Sequence, residues 1–171
     1  RSAQSTSLFV FQLANMPPTQ PLGQGKHRRS TVGSKAITAY SSLLRTAFDP
    51  NHTVGVIVPY RNQIAMIRQA IAQLHLPEFD TITIDTVERY QGSQRDVIIY
   101  SFTIQNRFQL EFLTANTFVE DGKPIDRKLN VAITRARKQL ILTGNEATLR
   151  QNFLFSELID YIEKKGGKTV I

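Results

Sequence analysis

The chain contains no cysteine among its 171 residues. Disulfides and thiolate metal sites are therefore excluded, and the absence fits a reducing, cytoplasmic setting. Its three histidines, His27, His52 and His75, show no metal-ligand spacing, so no protein metal site is expected. No apolar run approaches the ~20 residues that a membrane helix needs, and no membrane partner is expected. The amino terminus, Arg1-Ser2-Ala3-Gln4-Ser5-Thr6-Ser7, has neither an initiator Met nor an apolar signal core. It reads as the interior of a longer protein. A phosphate-cradling loop of the form G-x-x-x-x-G-K-[ST] after a strand is also missing. Gly23-Gln24-Gly25-Lys26-His27 comes nearest, but it lacks the Ser or Thr that would hold Mg²⁺ and lies in a Pro-rich stretch. No acidic pair follows a strand in the manner of a second nucleotide-site motif.

Acidic residues are also sparse, with 14 Asp and Glu against 21 Lys and Arg, for a net charge of +7. Such a surplus suits a polyanion, most simply nucleic acid or nucleotide phosphates, and equally suits a solvated basic surface. Hydrophobic residues make up 41% and charged residues 20%, the composition of one globular domain over residues 1–171.

What is present alternates between two periods. Leu8 to Leu13 is a short apolar run that reads as a strand. Residues 14–34, rich in Pro, Gly and basic side chains, read as a mobile loop. Lys35 to Phe48 carries Ile37, Tyr40, Leu44 and Ala47 at helical spacing, and Asp49-Pro50 stops it. Val54 to Val58 is a continuous β-branched run, as expected of a strand buried on both faces. Arg61 to His75 repeats the helical pattern through Ile64, Ile67, Ile71 and Leu74. Thr81–Ile84, Val97–Phe102 and Leu140–Leu142 are further strand candidates. Residues 103–124 read as a long polar and aromatic connection, Asp126–Lys138 as a helix, and Glu146–Lys165 as a helix broken near Asn152. Strands that alternate with helices imply crossovers and a mostly parallel sheet covered on both sides, a three-layer α/β domain. Ligands in such sheets bind at the carboxyl ends of the strands.

Three segments carry candidate chemistry. In Val54 to Gln63 a buried strand delivers Pro59-Tyr60 into a helix start, where free N–H groups suit a phosphate and Arg61 can add a bidentate contact. The plainer reading has Pro59 ending the strand and Arg61 solvated. In Ile84 to Val97, the Thr86 hydroxyl can bond a phosphate, Gly92 permits close backbone approach, and Gln91 and Gln94 offer neutral amides to ribose or phosphate. A polar turn explains the same residues less fully. In Asp126 to Lys138, Leu129, Ala132, Ile133 and Ala136 face a core, while Arg127, Asn130, Thr134 and Arg137 point outward; a solvated basic helix is the alternative. The 103–124 connection adds Asn106 and Arg107, able to follow a phosphate backbone, and Phe108, Phe112 and Phe118, each either a base-stacking ring or an anchor to the core.

In this order the three segments resemble motifs IV, V and VI of superfamily 1 helicases, in the Upf1/Dna2-like branch. The likeness runs from about Val54 to Asn145. Leu129-Asn-Val-Ala-Ile-Thr-Arg-Ala-Arg137 is very close to the motif VI pattern, Asp85-Thr86 with Gln91-Gly92 to motif V, and Pro59-Tyr60 with Gln63 to motif IV. The resemblance implies the second RecA-like domain of an ATP-dependent helicase, with the first domain upstream supplying the Mg²⁺ ligands. It implies that Arg135 is the arginine finger and that Thr86 contacts single-stranded DNA or RNA; Gln91, Asn106 and Arg107 are candidate contacts to the same strand on their own chemistry. Gly92 and Gln94 are then placed near ATP, together with Tyr60, Arg61 and Gln63. Relatives often carry an acidic residue where this chain has Gln94, so any hydrogen bond to a ribose there brings no charge. Two other classes compatible with the residues are a purely nucleic-acid-binding module and a nucleotide-dependent regulatory domain.

Overall fold

The computed structural model describes residues 7–12, 48–90 and 93–170, with side chains described over 48–90 and 93–167. The basic Pro- and Gly-rich loop, the helix expected before Asp49, and Gln91 and Gly92 lie outside the described residues.

Six strands form one sheet in the order β3-β2-β4-β7-β1-β8. They are β1 (Ser7–Gln12), β2 (Val54–Val58), β3 (Thr83–Thr86), β4 (Arg95–Ser101), β7 (Ala136–Gly144) and β8 (Lys168–Val170). β3, β2, β4 and β7 are mutually parallel. β1 runs antiparallel to both β7 and β8. The sheet is thus mostly parallel, as the alternation requires, with one reversed strand between β7 and β8.

The β-branched run Val54–Val58 is buried at every position because both faces of the sheet are covered. Successive side chains divide between two cores, as the two-residue period dictates. Val54, Val56, Val58, Ile99 and Ile141 pack with Ile67 and Ile71 of α1 (Asn62–Ala72) and with Phe79. Ile57, Ile98, Tyr100, Leu140 and Leu142 pack on the opposite side. There they meet α2 (Arg107–Leu113), α3 (Arg127–Arg135) and α5 (Phe153–Lys164). Full burial of each aliphatic side chain contributes about 1.5–3 kcal/mol, so these two layers dominate the stability.

Two local expectations are corrected and a third holds. The 103–124 stretch is not a structureless connection. It holds α2 and β5 (Thr117–Glu120), which pairs with β6 (Lys123–Asp126) in a separate hairpin. Asp121 and Gly122 both have positive φ, 50° and 75°, as a two-residue hairpin turn whose twist matches the strands demands. The helix expected to reach Lys138 ends at Arg135, and Ala136–Lys138 open β7 with no intervening loop. Arg and Lys are good helix formers, but backbone pairing of Ala136 with Arg95 overrides that preference. The break near Asn152 is as read. α4 (Glu146–Leu149) precedes it, and Asn152 caps α5 by accepting from the N–H groups of Leu154 and Phe155.

Candidate functional site

In a parallel sheet, a residue just before a strand and a residue just after one lie on opposite edges. The candidate residues divide between these edges, which β2 separates by roughly 16 Å at ~3.3 Å per residue.

On the amino edge, α3 delivers Arg135 at its last turn, beside the first residue of β4. A cation there is favoured by the negative end of the helix dipole. The Arg135 side chain is half-buried, and its Nε is buried with no hydrogen-bond partner. Gln94, which precedes β4, donates from Nε2 to the carbonyl of Thr134 at 3.4 Å and so sits next to it. Other cations at this edge are engaged. Arg137 Nε and Lys138 Nζ reach the two oxygens of Asp96 at 3.1 and 2.8 Å. Arg137 also donates to the carbonyl of His52 at 3.2 Å. Arg137 therefore belongs to a strand and to an ion-pair network, while Arg135 belongs to a helix and has no ion pair among the described residues. Asp96 was not singled out from the sequence. Its nearness to Arg137 and Lys138 follows from the pairing of β4 with β7, which is non-local, so the sequence carried no signal for it.

On the carboxyl edge lie Tyr60, Arg61, Thr86, Asn106 and Arg107. Grouping Tyr60, Arg61 and Gln63 with Gln94 in one nucleotide site does not match this placement. Gln63 is buried, and its Oε1 accepts from the Tyr60 N–H at 3.1 Å, closing the β2–α1 turn. Its Nε2 is buried without a partner. Arg61 is exposed. Asn106 caps α2 through the Gln109 N–H, and Arg107 pairs with Glu111 at 2.9 Å on the surface. Thr86 is largely buried at the end of β3.

Glu88 and Lys128 join this edge, neither marked by the sequence. They pair at 3.5 Å, with Lys128 nearly enclosed. Burial raises the Glu88 pKa, but the amide N–H of its own backbone, the Thr86 hydroxyl and Lys128 together hold it below its ordinary value. Beneath them the Tyr100 hydroxyl is buried without a partner, and burial, reinforced by the negative charges of Asp126 and Glu88, pushes its pKa far up. Tyr100 therefore stays neutral and packs as a core ring. Tyr60 and Phe112 stack with ring centroids 5.9 Å apart, and Lys128 Nζ lies 5.5 Å from the Phe112 centroid. A cavity of about 470 Å³ opens between α2 and the α4–α5 junction, lined in part by Arg107, Glu111 and Asn152. Among the described residues no group of three or more His, Cys, Asp or Glu is clustered to hold a metal ion. None of the described helices is long and apolar enough to cross a membrane.

A family model described as an AAA domain matches residues 5–147. Helicase sen1 of Schizosaccharomyces pombe is 35% identical over 149 residues, covering 80% of this chain and 8% of that protein. Regulator of nonsense transcripts 1 of Dictyostelium discoideum is 35% identical over 116 residues, covering 66% of this chain and 8% of that protein. The DNA replication ATP-dependent helicase/nuclease DNA2 of Mus musculus is 28% identical over 147 residues, covering 86% of this chain and 13% of that protein. The chain thus spans about a tenth of the length of these relatives.

Proposed function

Because the chain belongs to the superfamily 1, Upf1-like helicase family, we propose that it is the second RecA-like motor domain of an ATP-dependent DNA or RNA helicase. In this reading it supplies an arginine finger to ATP held by a first RecA-like domain, and part of the track for single-stranded nucleic acid.

The observation that carries the reading is the state of Arg135. Its neighbours Arg137 and Lys138 are both committed to Asp96, whereas Arg135 is fixed at a helix end with an unsatisfied buried Nε. A guanidinium held in this way needs little reorganisation when charge develops on a transferring phosphoryl group, and it stabilises that charge electrostatically. Gln94 lies within reach of the same ligand and offers an amide to its ribose or phosphates. ATP and Mg²⁺ are assigned to the cleft between the two domains, with the phosphate-cradling loop and metal ligands on the first domain.

The carboxyl edge then faces the strand. Thr86, Asn106 and Arg107 keep that role, and the proposal moves Tyr60 and Arg61 there from the nucleotide, since they follow β2 at the same edge as Thr86. Gln63 becomes a structural amide. The net charge of +7 supplies backbone attraction that weakens as counterions compete.

The test is to assay the 171-residue chain alone. It is expected to turn over no ATP above a protein-free control, with or without single strands, and to bind single strands with an affinity that falls as salt rises. ATP turnover by the chain alone, or salt-independent binding, overturns the proposal.

A further inference from the structure

We infer that the face of α2 carrying Phe108 and Phe112 is a base-stacking shelf for single-stranded nucleic acid, with Phe108 as its outer ring. The inference rests on the assignment of the carboxyl edge to nucleic acid and adds an element that recognises bases instead of phosphates.

Phe108 is 79% exposed and Phe112 56% exposed. Residues four apart share one side of a helix, so the two rings form a single patch. Scattered apolar side chains on a surface need no explanation, but two large aromatics placed together beside a polar site do. The inner ring is fixed from behind. Phe112 stacks on Tyr60 with 22° between the planes, and the Tyr60 hydroxyl donates to the Gln109 carbonyl on the same helix. Lys128 Nζ also lies against the Phe112 ring. Phe108, one turn nearer the amino end of α2, makes no ring contact among the described residues.

The surroundings specify the occupant. Lys128 links the shelf to Glu88, two residues beyond Thr86 at the end of β3, so the rings are continuous with the phosphate-facing edge. Arg107 adjoins Phe108 in sequence, and its pair with Glu111 is a surface contact that exchanges readily for a phosphate. Aromatic faces rimmed by cations match a strand whose bases are unstacked and whose backbone is anionic. A duplex does not present base faces to such a shelf, so the patch favours single strands without reading sequence.

The test uses the full-length protein and two oligonucleotides of equal length, one bearing bases and one with an entirely abasic backbone. Equilibrium binding is followed by fluorescence anisotropy over a salt series. The wild-type protein is expected to prefer the base-bearing strand. Phe108→Ala is expected to weaken that strand's binding by about 5- to 150-fold, the range for loss of one stacked base. Binding of the abasic strand and the salt slope stay unchanged, and Phe108→Trp retains the preference. Equal wild-type affinity for both strands, or equal weakening of both by Phe108→Ala, overturns the shelf and leaves the phosphate track standing. Unchanged binding of both strands by Phe108→Ala also overturns it and leaves the patch to a protein partner. If the wild-type protein binds neither strand, the nucleic-acid reading falls and the shelf falls with it.

Discussion

Replacing Gly55 with alanine would test how the sheet holds the segment that joins β3 to β4. Gly55 is buried at the second position of β2, and a Cβ built there would lie 1.6 Å from the Tyr90 hydroxyl and 2.7 Å from the ring carbon bearing it. Tyr90 is 1% exposed, and its hydroxyl has no hydrogen-bond partner. Both atoms cannot occupy that space, so the ring must leave its site or β2 must bend. Overpacking a core costs about 1–3 kcal/mol, and partial exposure of an aromatic ring adds a similar amount. We expect a loss of about 3 kcal/mol, which lowers the melting temperature of a chain this size by roughly 6–12 °C. Tyr90→Phe alone should be close to neutral, because it removes a buried hydroxyl that bonds nothing. In that background Gly55→Ala meets a less severe clash, so the double variant should be less destabilised than the sum of the singles by about 1 kcal/mol. Thermal and urea melts of the four proteins measure this. A Gly55→Ala shift below about 2 °C, or strict additivity in the cycle, would refute the packing argument.

Arg137→Ala should cost about 0.5–1 kcal/mol through loss of the partly exposed Asp96 pair and the bond to the His52 carbonyl, read as a lower urea midpoint that shrinks in high salt. An unchanged midpoint would show that the network does not hold the amino edge. Glu88 gives a pH signature. Its depressed pKa contributes stability above its ordinary value of 4.5, which is lost as pH falls through its lower folded value. The carboxylate is more than half exposed, so after solvent screening the effect is a few tenths of a kcal/mol at most. Comparing wild type with Glu88→Gln between pH 6 and pH 3 should show a slightly flatter acid limb in the variant, and a steeper one contradicts the assignment.

The layers of the fold were legible where one period dominated. Val54–Val58 reads as a doubly buried strand, and Ile64, Ile67 and Ile71 read as a helix stripe; both are where the pattern puts them. The α3–β7 junction was hidden because Ala136 is buried under either period and the next residues, Arg137 and Lys138, are polar helix formers. Pairing with β4 decided the matter, and pairing is non-local. The 103–124 stretch hid a helix of seven residues and a short hairpin, elements too brief for periodicity to reveal.

The candidate site was legible as three segments in order but not as two edges. The separation follows from a topological fact. Crossovers return the chain to the amino edge, so Gln94 and Arg135, which precede strands, lie at the opposite edge from Thr86, which ends β3, and Tyr60, which follows β2. The resemblance places Gln94 with Tyr60, Arg61 and Gln63 near one nucleotide, and nothing in motif order distinguishes a residue before a strand from one after it. The partners of Arg137 were invisible for a related reason, since Asp96 and His52 come from elements distant in sequence.

The account depends most on Arg135, and the direct measurement is steady-state ATP turnover by the full-length protein at saturating single-stranded nucleic acid, with Arg135→Ala and Arg137→Ala compared beside thermal melts. The account predicts that Arg135→Ala lowers turnover by roughly 10³-fold or more with an unchanged melt, since little covalent chemistry remains for other residues to take over. Arg137→Ala should keep most turnover and lose stability. Near-normal turnover in Arg135→Ala, or equal losses in both variants with lowered melting temperatures, would contradict it.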